Sequence, residues 1–364
     1  MPTVPLYTHP PHPDAWHQVR APGGYEWWYF DAEDREHDRQ LVAILFQGFV
    51  FHPGYLRRYF KYRNAPTRHA PPVPSQYPAA YFALYETGAL RWQFMTQYAP
   101  DQFRAATERA EVAVGPNLLL PREDGAMELS LRGTPWELTW QGPKLLDSSE
   151  VVASMRFIPR LPHAPLERIF LSRALAGANH QWVIANPRCD VEATITHANE
   201  TIRFRGRGYH DHNYGTGPLG PGLARWFWGR ALTDDGAFTF QHAHPHDPSL
   251  ADEVQLIGAD AAGVREIDVL RVSADWSGRT RVHLAYPRTI AFDDVLRLSN
   301  PRTIDVAPFY MRLIYDAELR GAASRREEAL CEIAYPHRLR WPILGRMIEM
   351  SIDRRALLTP RPGA

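Results

Sequence analysis

The segment Gly208-Tyr209-His210-Asp211-His212-Asn213-Tyr214-Gly215 packs a carboxyl group, two imidazoles, two phenols and an amide into eight consecutive residues. Side chains alternate across a strand, so Tyr209, Asp211 and Asn213 would share one face and His210, His212 and Tyr214 the other. Whichever face lines a cavity brings it either a Tyr/Asp/Asn cluster or a pair of histidines. Each set has its own chemistry. An aspartic acid buried among aromatic rings has its pKa raised, because desolvation disfavours the anion. Such an acid can protonate a carbon–carbon double bond. A tryptophan face can then stabilise the cation, and a His or Tyr can position the water that captures it. Alternate histidines on one strand face supply instead half of a metal site. The plain alternative is a polar strand end at the surface, turning at Asn213-Tyr214-Gly215. The flanking glycines and the nearby run Trp226-Phe227-Trp228 favour a packed environment.

A second motif, Tyr25-Glu26-Trp27-Trp28-Tyr29-Phe30-Asp31, reads as a strand with Glu26, Trp28 and Phe30 on one face and Trp27, Tyr29 and Asp31 on the other. It suits aromatics that plug a barrel as well as a direct chemical role. A further histidine cluster, His242-Ala243-His244-Pro245-His246, is interrupted by proline and reads as a loop. For His210 and His212, a buried pair held by carboxylates or carbonyls explains the spacing without a metal, so no metal is assigned. There is no Gly-x-Ser-x-Gly elbow, no phosphate-binding loop and no His-Glu-x-x-His helix. Gly206 and Gly208 lack the third glycine of a dinucleotide site.

The elements that would position these residues are short strands. Runs at residues 25–31, 41–51, 81–85, 90–98, 127–131, 136–140, 181–185, 191–197, 226–232, 237–242, 254–257 and 282–286 alternate or are rich in aromatics. The 32 prolines keep long helices scarce. Many short strands punctuated by Gly and Pro predict an all-β protein of sandwiches or barrels. A length of 364 residues suits two domains. The Asn186-Pro187-Arg188-Cys189 stretch suggests a boundary, giving domains at 1–187 and 188–364. Helical periodicity is credible near residues 343–352, as a terminal element packed on the core or lying on a membrane surface.

Composition excludes several classes. With 41 basic and 41 acidic residues the net charge is zero, and nothing favours nucleic acid. Cys189 and Cys331 are the only cysteines, too few for a disulfide framework or a thiolate metal site. No apolar run is long enough to cross a bilayer, and the first five residues lack the blocks of a signal peptide, so the cytoplasm is the default compartment. Aromatic residues make up 12% of the chain, enough to wall an apolar pocket for a hydrophobic small molecule.

Taken together, residues 25–31, His180-Gln181-Trp182 with Asn186-Pro187-Arg188, Gly208 to Gly215 followed by Trp226-Phe227-Trp228-Gly229-Arg230, and Ala307-Pro308-Phe309-Tyr310-Met311-Arg312 resemble the carotenoid 1,2-hydratase family, grouped with lipocalin-like proteins of the AttH type. The resemblance spans roughly residues 20–350. It implies two lipocalin-like antiparallel β-barrel domains packed together, and a cofactor-free hydration of an isoprenoid double bond. The family's His-x-Trp pair falls on His180 and Trp182, and its Tyr-x-Asp pair on Tyr209 and Asp211. Asp211 is then the expected general acid, Trp182 the cation-stabilising ring, and His180 or Tyr209 the group that handles water. Trp226, Trp228, His210, His212, Asn213, Trp28 and Tyr29 are the expected substrate-binding residues, with an isoprenoid or polyene as ligand and peripheral contact with a membrane. Having His210 and His212 on either side of Asp211 departs from the pigment hydratases. A lipocalin-like barrel can also carry a hydrophobic ligand without any acid. Asp211 would then be a structural partner for Arg225 or Arg230.

Overall fold

The computed structural model of the protein describes residues 5–146, 149–161, 165–170, 179–220, 222–319 and 327–357. The first four residues, part of the argument against a signal peptide, lie outside them. As expected, the chain is nearly all β. Two curled antiparallel sheets of lipocalin-like type pack against each other, with twelve and nine strands among the described residues. In the first sheet, Tyr25–Asp34 lies between Arg39–Phe46 and Glu200–Gly215, and the latter pairs in turn with His180–His197. In the second, Leu223–Leu232 lies between Ala237–Pro245 and Glu327–Ala334.

Each sheet curls around its own core. Trp28, Phe30, Phe82, Phe94 and Phe157 belong to the first core, and Phe227, Phe240, Phe292 and Tyr315 to the second. A third cluster is drawn from both sheets and includes Trp27, Tyr29, Trp182, Tyr209, Trp228 and Ile314. Strands between two cores are covered on both faces, so they read as dense aromatic runs rather than clean alternations. All ten residues of Tyr25–Asp34 are buried.

Glu200–Gly215 shows both regimes. In its first half Ile202 and Phe204 are buried while Thr201, Arg203 and Arg205 are exposed; from Gly208 every residue is buried. Gly206 permits the entry, because a Cβ there would lie 1.9 Å from the Glu33 carbonyl oxygen. The pair Gly206 and Gly208 is therefore a packing device.

Two expected strands, 181–185 and 191–197, are one strand, His180–His197, with register irregularities between Ile184 and Cys189 that accommodate Pro187. Residues 187 and 188 lie inside it, and the chain passes from one sheet to the other between Gly215 and Leu223. Residues 242–245 are strand rather than loop. Pro245 closes Ala237–Pro245, where its missing N–H costs least, and Asp252 pairs with both His242 and His244 at 2.6 Å. Both cysteines are buried free thiols. Helix is confined mainly to Pro53–Asn64, capped by the His52 ring, and Pro342–Ser351, near the patch expected at 343–352. The second buries Leu344 and Ile348.

Candidate active site

Between the two sheets lies a narrow cleft of about 80 Å³. Its aromatic walls are Trp27, Tyr29, Phe46, Phe51, Trp226, Trp228 and Tyr310, and its polar groups include Asp211, Asn213 and Glu332. The alternation of Glu200–Gly215 decides which set faces it. Tyr209, Asp211 and Asn213 turn toward the cleft side, while His210 and His212 turn into a buried polar cluster on the other.

Asp211 is held from three sides. Its Oδ2 accepts from Trp182 Nε1 at 2.8 Å and from the Tyr209 hydroxyl at 3.0 Å; its Oδ1 accepts from Asn213 Nδ2 at 2.7 Å. These bonds favour the carboxylate, but burial outweighs them and pushes the pKa up to about 7. Among the described residues, no arginine is hydrogen-bonded to it. Arg230 is spent on Asp31 and Glu33, and Arg225 lies 3.7 Å over the Trp276 ring. A hydrogen-bond role toward either arginine is thus not what the geometry provides.

Trp182, Tyr209 and His180 stand one layer behind the cleft wall, so their contacts are with its residues. His180 Nδ1 lies 2.8 Å from the Tyr25 hydroxyl, and its ring also bonds to Asn213. Burial drives its pKa down to about 3, leaving a neutral imidazole. The wall itself carries Asp211, Asn213, Trp226, Trp228 and Tyr29 from the expected set. Trp228 packs 5.2 Å from Tyr29 and 5.6 Å from Tyr209, ring centre to ring centre.

Trp28, His210 and His212 lie on the far side of the sheet. His210 stacks on Phe30 at 3.8 Å, with Nδ1 2.9 Å from the Tyr29 carbonyl and Nε2 3.0 Å from Asp14 Oδ2. Both partners only accept, so the ring carries both protons. Burial alone would lower its pKa, but the Asp14 carboxylate overrides that and raises it. His212 stacks on Trp28 and reaches Glu26 Oε1 at 3.1 Å, and the Trp28 indole donates to the Asp14 carbonyl.

Among the described residues, the group with donor atoms within metal-bridging reach is His17, Glu26 and His212, whose atoms lie within 4.8 Å of one another. Its nitrogens converge on Glu26 Oε1, at 3.2 Å from His17 and 3.1 Å from His212. As hydrogen bonds these contacts account for the geometry.

Sequence reasoning passed over Trp27, Phe46, Tyr310 and Glu332. Trp27 and Trp28 were indistinguishable until a face was assigned. Glu332 did leave a signal: a carboxylate in the otherwise apolar run Leu330, Cys331, Ile333, Ala334.

Comparison with known proteins agrees with this architecture. Residues 44–360 match the family described as "Carotenoid hydratase CrtC". The chain is 28% identical over 317 residues to a hydroxyneurosporene dehydrogenase of Chlorobaculum tepidum, covering 82% of this chain and 78% of that protein. It is 29% identical over 231 residues to an acyclic carotenoid 1,2-hydratase of Thiocapsa roseopersicina, covering 59% of this chain and 46% of that one. Among solved structures, an AttH protein of Nitrosomonas europaea aligns over 92% of this chain and 98% of its own, with TM-score 0.59 and 16% identity. CghA, solved with Sch210972, aligns over 91% of this chain and 94% of its own, with TM-score 0.52 and 10% identity. These structural likenesses support the fold, whereas the family match covers most of the sequence. The chain belongs to the carotenoid hydratase CrtC family.

Proposed function

We propose that this protein adds water to a double bond near the end of an acyclic polyisoprenoid, with Asp211 as the proton donor. The observation that carries the reading is a single one: a carboxyl group lifted to a pKa of about 7 opens onto an aromatic cleft between two sheets. At neutral pH a large fraction of Asp211 is protonated, and a proton can pass to the alkene without a cofactor. The tertiary cation so formed lies among Trp27, Trp226 and Trp228, whose faces attract positive charge. Trp182 and Tyr209 orient the acid through their bonds to Oδ2. His180 orients Asn213, which holds Oδ1. Trp28, His210 and His212 support the strand from behind.

A polyene substrate partitions into lipid, and one surface of the protein suits lipid. Trp341, Ile343 and Met350 are exposed along Pro342–Ser351, with Ile343 77% accessible. The hairpin of Trp136–Thr139 and Gly142–Leu145 packs against that helix and exposes Leu138 and Trp140. Arg58 and Lys61 are exposed on Pro53–Asn64, which contacts the same helix, and Arg340 and Arg346 are exposed beside and within it. Aromatic and apolar side chains fringed by cations match an anionic membrane surface. No helix among the described residues is long and apolar enough to cross a membrane.

The test is to incubate purified protein with lycopene or neurosporene dispersed in lipid and to follow the gain of one water by mass spectrometry. Asp211→Asn keeps the shape and removes the transferable proton. Turnover is expected to fall by about 10²–10⁴-fold while ligand affinity changes far less. Hydration by Asp211→Asn at the wild-type rate would remove Asp211 from the mechanism. Binding without conversion by the wild type would point to a carrier.

A further inference from the structure

The cleft has a second carboxyl group, contributed by the opposite sheet. Glu332 lines it together with Asp211. Its Oε1 accepts from the Tyr29 hydroxyl at 3.0 Å, and from Arg312 at 3.0 Å through Nε and 2.8 Å through the terminal nitrogen. None of the hydrogen bonds among the described residues uses Oε2. Arg312 is itself locked, being buried between the Tyr85 and Tyr310 rings and bonded to the Tyr85 hydroxyl. Glu332 is therefore an ion-paired carboxylate with one oxygen committed to the protein and one uncommitted.

Strand register relates the two carboxyl groups. Asp211 is the cross-strand partner of Tyr29, and Glu332 is the cross-strand partner of Trp228. Tyr29 and Trp228 pack edge to face in the cleft. The acid and the carboxylate thus flank one aromatic pair from opposite sheets.

We propose that Glu332 is the base that holds and deprotonates the water in the hydration reaction, with Tyr29 and Arg312 as positioning residues. The inference rests on the reading of Asp211 as the acid. A water attacking a cation becomes an oxonium as its C–O bond forms, and an unpaired oxonium in an apolar cleft is costly. A carboxylate oxygen within reach removes that cost. The π pair takes the Asp211 proton, forming a C–H bond and leaving a tertiary cation. A water lone pair then forms the C–O bond while a water O–H bond breaks toward Glu332 Oε2. Solvent takes the proton from Glu332 and returns one to Asp211. One water is added, and nothing is oxidised or reduced.

The discriminating experiment is performed in D2O on full-length protein. Wild type should give hydrated product with little deuterium in recovered alkene, because capture outruns return. Glu332→Gln should still protonate the alkene but capture the cation poorly. Hydration should fall by about 10²-fold, and recovered alkene should carry deuterium as the cation collapses back. Glu332→Asp, which keeps a carboxylate, should recover part of the hydration and lower the exchange. It also serves if the Gln variant melts early. An exchange-to-hydration ratio in these variants equal to the wild-type ratio would overturn the proposal and leave Glu332 as an anchor for Arg312. Wild type that neither hydrates nor exchanges would sink the reading of Asp211, and this inference with it.

Discussion

Asp211 is a contest between burial and hydrogen bonding. Three donors favour its anion, each such bond to a charge contributing about 1.5–3 kcal/mol, yet desolvation wins. The consequence is a pH dependence with a definite sign. As the proposed proton donor, Asp211 works only when protonated, so hydration should be full in mildly acidic solution and fall as pH rises through about 7. Trp182→Phe removes a donor that favours the anion, so it should move the falling limb to higher pH. Initial rates measured across pH for both proteins check this. A limb that stays in place in Trp182→Phe would mean that Asp211 is not the group seen titrating.

At the scale of the element, Glu200–Gly215 is a two-faced strand with opposite electrostatics on its sides. The cleft face keeps a carboxyl group near neutral, while the rear face holds ionised Asp14 and Glu26 against three histidines. The rear cluster ties the segment carrying Asp14 and His17 to the strand that presents Asp211. Asp14→Asn leaves the His210 imidazolium buried without its counter-charge. Breaking such a pair typically costs about 3–5 kcal/mol, which urea unfolding would register. The pair's contribution also has limits in pH. His210 is raised above its usual 6.5, so its part is complete below 6.5 and lost as pH rises through the raised value. Asp14 is lowered, so its part is complete above 3.8 and lost as pH falls through the lowered value. An Asp14→Asn protein as stable as the wild type at pH 6 would show that the cluster holds nothing.

At the scale of the whole molecule, the two sheets meet along a seam of buried polar contacts. Arg230 bridges to Asp31 and Glu33, Arg207 joins Glu33 to Glu327, and Tyr85 reaches Asp305. The cleft exists because the sheets are docked, and the seam sets their relative position. The surface proposed to meet lipid adjoins this arrangement through chain continuity, since Glu327–Ala334 runs from the cleft toward Trp341. Wild-type protein is expected to float with anionic vesicles at low salt and to be released by high salt. Ile343→Asp should weaken that binding while leaving hydration of detergent-dispersed substrate unchanged. Wild-type protein that stays with the unbound fraction would remove the membrane from the account.

Local chemistry was largely written in the chain. Period-two alternation assigned Tyr209, Asp211 and Asn213 to one face, and paired Trp226 with Trp228, because strand geometry leaves no other option. Proline spacing and short aromatic runs specified an all-β fold for similarly local reasons. Local rules could not say which face of a strand would meet the cleft, so Trp28, His210 and His212 were grouped with the binding residues. They could not see that His180–His197 continues past Pro187, because a bulge absorbs the proline only when neighbouring strands are present. Nor could they bring Glu332 to Asp211, or Asp14 to His210, across 121 and 196 residues of chain. The cleft lies inside neither half of the sequence but between two docked sheets, and that docking depends on long-range burial of apolar area and on ion pairs between distant strands, which no local pattern encodes.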